Sequence, residues 1–363
     1  MKTIKVALLT KYGDLAASTR QRFEQYQPFL EDAGFEVMKY PLFNNIYLKK
    51  FYDSGKRDFS QVLIGYLRRL KWLMSKPDVD LIWLHCELFP YLPGLFEKIA
   101  TLPRKPIIYD YDDAIFHNYD LNSKWYVRKL FGKKLHHTIG AAKIAFCGNN
   151  YLANYARPLC SRIEIVPTVV NTDVLRPKAI EKHKDSPINI GWIGSPTTWH
   201  YFEKKLPMMK RLASAENGNL FVMGASKNIT NTHSLLNFVE WSEAGEVPFL
   251  LSLDIGVMPL DNSPWAKGKC GYKIIQYMAC GIPVVASPIG VNKDIIDHGI
   301  NGFLVETDEE WYSAITKLMK DKDLRQQMGN SGRKKVENQY SLKVWGPRVS
   351  RILLSSIEEK VNL

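Results

Sequence analysis

The chain has 363 residues, of which 45% are hydrophobic and 24% are charged, with a net charge of +12. This composition is ordinary for a globular protein of about two domains, and it excludes disordered, collagen-like and disulfide-stapled chains. No window holds the ~18 consecutive apolar residues that a membrane-spanning helix requires. The five cysteines are scattered without a CxxC pair, which favours reduced thiols and therefore a cytoplasmic protein.

The positive charge is concentrated in the first half. Residues 1–180 carry 27 Lys and Arg against 17 Asp and Glu, whereas residues 181–363 carry 22 against 20. Two stretches, 47–74 and 124–134, mix basic and aromatic residues, as helices lying on an anionic membrane surface do. Amphipathic helices whose apolar side packs into the core have the same pattern. The sequence leaves both interpretations open, and it shows no recognisable nucleic-acid-binding module.

Short apolar strands alternate with helices along the first half. Strands are predicted over 4–10, 81–85, 106–111, 143–147 and 163–167. Helices are predicted over 17–33, 60–75, 90–101, 122–137 and 149–157. Because several strands are continuously apolar, as parallel strands covered on both faces are, we predict a Rossmann-like α/β domain over residues 1–180.

A polar, proline-flanked stretch at 177–187 predicts a linker, after which the pattern restarts. The next strands are predicted over 188–193, 220–223, 254–258, 283–286 and 303–305. Helices are predicted over 198–214, 271–280, 308–320, 322–339 and 342–360. We therefore predict a second domain over 188–345, giving an α/β protein of two doubly wound domains that face a central cleft.

A glycine turn rich in hydroxyl groups follows the first strand of the second domain. Gly194 allows the backbone to approach a ligand closely, while Ser195, Thr197 and Thr198 can cap the next helix as its N–H groups face an anion. A diphosphate suits such a turn, although an ordinary strand-to-helix turn can have the same residues. The turn is not a GxGxxG fingerprint, which disfavours a dinucleotide-binding dehydrogenase.

Three lysines and two glycines precede the short helix predicted at 271–280. Lys269 and Lys273 lie four residues apart. If the helix already begins near residue 269, they share one face and its positive N-terminal end, which would clamp a diphosphate. The alternative is a solvated lysine cluster in front of a core helix.

The stretches 265–292, 298–305 and 328–333 strongly resemble the nucleotide-sugar domain of GT-B glycosyltransferases, above all the large retaining family numbered four. The string from Met278 to Val285, MACGIPVV, is specific in this context. The resemblance covers nearly all of 188–345 and is weaker in the first half, where it rests on 17–22, 109–116 and 148–152. It implies a GT-B fold, a last helix over 346–363 that packs back on the first domain, a UDP- or GDP-sugar as donor, and no metal cofactor.

The resemblance also implies where the donor binds. The positions that match donor-binding regions are Gly194, Ser195, Thr197, Thr198, Trp241, Ser242, Lys269, Gly271, Tyr272, Lys273 and Gln276. The family's two glutamates, however, fall on Gly268 and Gln276. An amide at 276 can still bind the ribose hydroxyls, whereas Gly268 has no side chain for the sugar. The lysines would then supply the charge that holds the diphosphate.

Three carboxylates, Asp110, Asp112 and Asp113, follow each other closely at the end of a first-domain strand. The resemblance implies that Asp112 or Asp113 orients or deprotonates an acceptor hydroxyl. A Mg²⁺ or Mn²⁺ site and structural pairing with Arg20 or Lys124 are the alternatives. Arg20 and Arg22 are also candidates for contact with a phosphate of the donor or acceptor.

These observations predict a retaining glycosyltransferase that uses Asp112, Asp113 and Lys273 as catalytic residues. We expect it to transfer a sugar to a saccharide or lipid-linked saccharide acceptor in cell-surface polysaccharide synthesis, at the inner face of the cytoplasmic membrane. One rival is a sugar-nucleotide epimerase or phosphorylase of the same fold. The other is a non-catalytic membrane- or polyanion-binding protein, which the missing glutamates would favour.

Overall fold

The computed structural model describes residues 3–75, 77–101, 105–177, 186–225 and 235–358. The described residues form two compact units. One runs to Thr168 and resumes at Trp345, and the other comprises Val169–Val344. Within the predicted linker at 177–187, positions 178–185 lie outside the described residues.

The first unit contains a parallel six-stranded sheet. Its strands are β1 Ile4–Leu9, β2 Phe35–Lys39, β3 Leu81–His85, β4 Ile107–Tyr111, β5 Ile144–Cys147 and β6 Ile163–Ile165. Their order across the sheet is β2-β1-β3-β4-β5-β6. All five residues of β4 and all four of β5 are buried, as expected for central strands covered by helices on both faces.

Helices surround this sheet. They are α1 Ala17–Arg22, α2 Gln27–Asp32, α3 Asn45–Ser54, α4 Phe59–Met74, α5 Gly94–Ala100, α6 Trp125–Phe131, α7 Lys134–Ala141 and α8 Asn150–Ala156. The helix predicted over 17–33 is interrupted, because Phe23 has φ −132° and ψ −60°, outside the helical region. A 3-10 turn, Glu24–Tyr26, joins α1 to α2.

The second unit repeats this architecture. Its strands are β7 Ile188–Ile193, β8 Gly218–Met223, β9 Leu236–Val239, β10 Ile255–Met258, β11 Val284–Ala286 and β12 Gly302–Leu304. They pair in parallel in the order β12-β11-β10-β7-β8-β9, the order of a dinucleotide-binding sheet. The strand order reverses between β7 and β10, and ligands of such sheets bind at the carboxyl ends of the strands at that point.

The helices of the second unit are α9 Trp199–Glu203, α10 Leu206–Ala215, α11 Glu243–Leu251, α12 Pro264–Lys267, α13 Tyr272–Ala279, α14 Asn292–Ile295, α15 Asp308–Lys320 and α16 Lys322–Gln339. The final helix, α17 Leu342–Glu358, packs on the first unit. There, the Ser350 hydroxyl donates to the Phe29 carbonyl at 3.0 Å. A Cβ on Gly346 would lie 2.5 Å from the Phe29 ring, so this helix needs a glycine to lie so close.

Candidate active site

Two glycines allow the ends of β7 and β8 to lie close together. Gly194, just after β7, donates from its backbone N–H to the Met223 carbonyl at 3.0 Å. Gly224, just after β8, has φ +77°, and a Cβ there would lie 2.2 Å from the Gly194 carbonyl oxygen. Any other residue at 224 would force the strand ends apart. At this edge of the second sheet, the ends of β7 and β8 are therefore close together and expose backbone atoms.

Lys273, in the first turn of α13, reaches this edge. Its Nζ donates to Thr198 Oγ1 at 3.3 Å and lies 4.3 Å from the centre of the Trp192 ring. A Cβ on Gly194 would lie 2.7 Å from the same nitrogen. The structure thus brings Gly194, Thr198 and Lys273 together, with an ammonium group beside the glycine turn at the reversal point of the sheet.

The hydroxyl groups after Gly194 bond to one another. Ser195 Oγ lies 2.9 Å from Thr197 Oγ1, and the Ser195 N–H donates to Thr198 Oγ1 at 3.2 Å. The expectation that they cap the next helix is wrong, since α9 begins at Trp199 without a side-chain cap. Ser195 and Thr197 are exposed, so their hydroxyls can also donate to an anion beside Lys273.

Lys269 is not on the helix. α13 begins at Tyr272, and Gly271 before it has φ +68°. A Cβ on Gly271 would lie 2.3 Å from Ile295 Cδ1, so both its conformation and its packing need glycine. The condition under which Lys269 and Lys273 share a helical face is therefore not met. The Lys269 ammonium instead lies 5.3 Å from the centre of the Trp265 ring.

Packing against the sheet fixes the position of α13. The hydroxyl of Tyr277, which is fully buried, accepts a hydrogen bond from the Ile193 N–H at 3.0 Å. Its ring lies over Gly256 of β10, where a Cβ would be 2.4 Å from the ring. One tyrosine thereby holds the helix across both strands that flank the reversal point, which keeps Lys273 at the edge.

Gln276 is joined to a carboxylate that the sequence analysis missed. Its Nε2 donates to Glu246 Oε1 at 2.5 Å, and Trp241 Nε1 donates to Glu246 Oε2 at 3.1 Å. Glu246 lies in the first turn of α11, and Ser242 caps that helix by accepting from the Gly245 N–H. No sequence spacing relates Glu246 to Gln276, because each belongs to a different helix.

In the first unit, Asp110 is not part of an open acidic cluster. Arg22 donates to Asp110 Oδ1 from Nε at 2.9 Å and from Nη2 at 2.8 Å, and Trp83 Nε1 donates to Oδ2 at 3.1 Å. Burial raises the pKa of the Asp110 carboxyl, and the Arg22 guanidinium opposes that shift. The partner of this carboxylate is therefore Arg22, not the predicted Arg20 or Lys124. Because Arg22 is itself buried, the suggested contact of Arg22 with a substrate phosphate is wrong.

Asp112 lies at the carboxyl end of β4, beside a histidine that the sequence analysis did not name. Asp112 Oδ1 is 3.6 Å from His85 Nε2, at the end of β3. The His85 ring is buried, and neither of its nitrogens has a hydrogen-bond partner within the described residues. The next residue, Cys86, has φ +63°, a backbone conformation that is strained for residues other than glycine. Among the described residues, no three His, Cys, Asp or Glu side chains are placed to hold a metal ion.

A buried lysine organises the loop after β3. Lys134 Nζ lies 3.2 Å from Glu87 Oε1 and 3.4 Å from Glu97 Oε1. Tyr119 donates to Glu87 at 2.6 Å, and Thr138 donates to Glu97 at 3.0 Å. All three charged side chains are buried, so the network stabilises this loop from within.

Helix α4 turns its apolar stripe outward. The large apolar side chains that are 46–80% exposed recur at helical spacing: Phe59, Leu63, Ile64, Leu67, Leu70 and Met74. The buried residues of α4 are Gly65 and Arg69. Arg69 donates to the backbone carbonyls of Thr10 at 3.0 Å and Tyr40 at 2.8 Å. Val62 and Tyr66 of the same helix pack against a buried cluster of three residues, Leu42, Phe43 and Tyr47. The interpretation in which the apolar side of this stretch packs into the core therefore holds for part of α4.

Helix α6 also exposes large apolar side chains. It buries no residue, and Trp125, Tyr126 and Leu130 are exposed together with four basic side chains, Lys124, Arg128, Lys129 and Lys133. No helix of the described residues is both long and apolar enough to cross a membrane.

Comparison with known proteins agrees with the geometry of the second unit. The family model described as "Glycosyl transferases group 1" matches residues 190–335. This segment of the second unit is therefore similar to group 1 glycosyl transferases. The predicted resemblance is thereby confirmed for the segment that contains Gly194, Glu246 and Lys273.

Curated relatives match over short segments. The capsular polysaccharide biosynthesis glycosyltransferase CapM of Staphylococcus aureus is 35% identical over 118 residues, 32% of this chain and 28% of that protein. The N-acetyl-alpha-D-glucosaminyl L-malate synthase of Bacillus anthracis is 32% identical over 76 residues, 20% of each chain. The aligned segments thus span less than a third of either relative's length.

Solved structures match over nearly the whole chain. Anabaena Alr3699/HepE in complex with UDP and glucose has a TM-score of 0.71 at 14% identity, covering 97% of this chain and all of that one. WaaG, a glycosyltransferase involved in lipopolysaccharide biosynthesis, has a TM-score of 0.66 at 14% identity, covering 96% and 99%. The prediction of a GT-B fold with two doubly wound α/β units is confirmed.

Proposed function

We propose that this protein is a retaining glycosyltransferase that moves a sugar from a UDP- or GDP-sugar to a saccharide or lipid-linked saccharide acceptor. The observation that carries the proposal is the cluster of Gly194, Thr198 and Lys273 at the reversal point of the second sheet. It lies within the segment that matches group 1 glycosyl transferases. A structurally similar protein, HepE, was crystallised with UDP-glucose.

In this proposal the diphosphate of the donor binds beside Lys273. Negative charge grows on the diphosphate as the bond to the sugar breaks, and a preorganised ammonium and helix N-terminus stabilise that charge. Ser195 and Thr197 add hydroxyl donors. Because these groups supply the required positive charge and hydrogen bonds, the proposal includes no metal cofactor. Trp241 and Ser242 lie where the base would bind, and Lys269, Gly271 and Tyr272 lead into the helix that carries Lys273.

The acceptor is proposed to bind at the carboxyl edge of the first sheet. There Asp112 and the neighbouring Asp113 would orient the acceptor hydroxyl or take up its proton. His85 supports this role, because its buried imidazole lies 3.6 Å from Asp112. Asp110 takes no part, since Arg22 and Trp83 hold it.

We further propose that the first unit docks on the inner face of the cytoplasmic membrane, where a lipid-linked acceptor of cell-surface polysaccharide synthesis is found. The support is the outward apolar stripe of α4 and the exposed aromatic and basic residues of α6. Apolar side chains that enter the headgroup region, beside lysines and arginines, are the features that bind helices to anionic bilayers.

The test is a transfer assay with labelled UDP-glucose, UDP-N-acetylglucosamine and GDP-mannose, with and without a membrane lipid extract as acceptor. The expected result is label in a lipid or saccharide product only when acceptor is present, with the anomeric configuration retained by NMR. Product without acceptor would instead indicate an epimerase or phosphorylase. Nucleotide binding without any product would identify a non-catalytic protein and overturn the proposal.

A further inference from the structure

Gln276 contacts Glu246. A carboxylate therefore lies beside the position at which the sequence alone indicates only an amide. Gln276 is 2% exposed, and its Nε2 lies 2.5 Å from Glu246 Oε1. Two carboxylates at that distance would repel each other, and one of them would have to bind a proton. The amide at 276 can donate to the carboxylate at 246, so the two side chains form a hydrogen-bonded pair.

The same carboxylate is held from a second side. Trp241 Nε1 donates to Glu246 Oε2 at 3.1 Å, so each carboxylate oxygen has a fixed donor and the group has a fixed orientation. Glu246 is only half-buried. Its carboxylate therefore combines a rigid position with access from solvent, which a purely structural ion does not need.

Glu246 also belongs to the cluster around the glycine turn. A Cβ on Gly224 would lie 3.5 Å from the Cβ of Trp241 and 2.2 Å from the carbonyl oxygen of Gly194. Gln276 follows Lys273 by three residues and therefore lies on the same side of α13. The glycine turn, the ammonium and this carboxylate consequently surround one region of the sheet edge.

We propose that Glu246 binds the ribose of the donor nucleotide, accepting hydrogen bonds from its 2′ and 3′ hydroxyl groups. The inference rests on the proposed function, since only a nucleotide would bring a ribose to this edge. Each carboxylate oxygen can accept more than one hydrogen bond, and Glu246 is half-buried, so a ligand at the sheet edge can reach it. Carboxylates bind ribose hydroxyls in other doubly wound nucleotide-binding sheets. Gln276 and Trp241 are positioning residues that act through Glu246.

The chain offers a matched control on the same helix turn. Glu243 is a second glutamate in the first turn of α11, and it is exposed. Glu246→Gln keeps the shape of the side chain and removes its charge. We expect it to weaken binding of a ribonucleoside diphosphate about 10- to 100-fold, the range for loss of charge-assisted hydrogen bonds. Glu243→Gln should change that affinity less than about threefold.

Exchange of the two side chains gives a second, independent test. Gln276→Glu alone places a second carboxylate beside Glu246, and we expect nucleotide affinity to fall at least about 10-fold. The double variant Glu246→Gln/Gln276→Glu again has one amide and one carboxylate, and it should recover most of that loss. A position that merely fills space would show no such recovery.

The experiment is calorimetric titration of these variants with UDP, GDP and ADP and with their 2′-deoxy counterparts, each variant first checked for its melting temperature. Wild type should prefer the ribonucleotide about 10-fold or more, and Glu246→Gln should lose that preference. If Glu246→Gln does not fold, the inference is tested by the double variant Glu246→Gln/Gln276→Glu and by the preference of wild type for the ribonucleotide. Wild type that binds a ribonucleotide and its 2′-deoxy form equally overturns this inference and leaves the proposed function standing. Wild type that binds none of these nucleotides overturns both.

Discussion

The carboxyl edges of the two sheets differ in how their charges are used. In the first unit, Arg22 and Asp110 pair with each other below the surface, and Lys134 is enclosed by Glu87 and Glu97. In the second unit, Ser195 and Thr197 are exposed, and the half-buried Lys273 donates to the neutral hydroxyl of Thr198. One sheet thus uses buried ions for internal structure, whereas the other has an ammonium group at the edge that we propose binds the donor.

The difference shows that parallel six-stranded sheets with different strand orders can have two kinds of edge. A buried ion pair must be fully matched, because either partner alone would remain charged in a poorly solvated place. A site for a charged ligand needs the opposite, since the ligand itself must complete the pairing. In the first unit, Asp112 lies 3.6 Å from His85, whose ring nitrogens have no hydrogen-bond partner among the described residues. This contrast supports the proposal that the donor binds to the second unit and the acceptor binds beside Asp112 in the first.

The largest effect is expected from breaking the buried pair of the first unit. Arg22→Ala leaves the Asp110 carboxylate buried without its partner. We expect the free energy of unfolding of this unit to fall by about 3–5 kcal/mol, as for other broken buried pairs. Urea unfolding followed by circular dichroism measures the loss. Arg20→Ala on the same helix is the control, with a loss below about 1 kcal/mol, and equal losses for both variants would refute the structural role of the pair.

The next effect concerns the ammonium group of the second unit. Lys273→Ala should reduce turnover at least ~100-fold, equivalent to about 2.7 kcal/mol of activation free energy. Its stability should change little, because the side chain is only half-buried. Initial rates of nucleoside diphosphate release measure the effect. Lys293→Ala, an exposed lysine of the same unit, should retain nearly the wild-type rate, and a similarly active Lys273→Ala would remove Lys273 from the phosphate site.

A smaller effect is expected at the edge of the first sheet. Asp112→Asn should lower kcat about 10- to 100-fold, within the range for general acid–base catalysis. The affinity for the donor nucleotide should remain unchanged, since that binding belongs to the second unit. Steady-state kinetics combined with nucleotide titration separates the two quantities. Reduced nucleotide affinity in Asp112→Asn would contradict this division of roles.

The smallest effect on stability is expected on the surface of α4. Leu63→Ser/Leu67→Ser removes two exposed leucines, so the free energy of unfolding should change by less than about 1 kcal/mol. Co-sedimentation with vesicles that contain phosphatidylglycerol should nevertheless fall about 10-fold or more, because both side chains would enter the bilayer interface. Binding of the wild type should weaken as salt is raised. Equal binding of both proteins, or equal binding to neutral vesicles, would exclude this helix as the docking surface.

Much of the fold follows from local sequence patterns. The strands over 81–85 and 188–193 were predicted with the bounds observed, because apolar residues dominate both. The helices α15 and α16 also match their predicted ranges. Thr307 and Asp321 are the N-cap residues just before these helices, and such residues indicate where a helix begins. β2 was missed because it is an edge strand with exposed Glu36 and Lys39, so its apolar pattern is weak.

The site was less predictable, because its key contacts join residues that are far apart in the chain. Gly194 and Lys273 were identified from local residue patterns and a family resemblance, and the structure adds that they meet at one edge. Glu246 and Gln276 are 30 residues apart, and Arg22 and Asp110 are 88 apart. No periodicity connects such pairs, since the contact depends on how separate helices pack on the sheet. The pattern around Asp110 therefore suggested an open acidic cluster where the fold encloses an ion pair.

The central claim, that the second unit is a nucleotide-sugar site, is tested most directly by the thermal stability of the protein with UDP, GDP, ADP, CMP and dTDP. A ligand at ~100 times its Kd stabilises a protein by ~2.7 kcal/mol, which raises its melting temperature by several degrees. We predict that one of these nucleotides raises the melting temperature of the wild type, equally with and without EDTA, and that Lys273→Ala loses most of the shift. No shift with any of the five nucleotides would contradict the account.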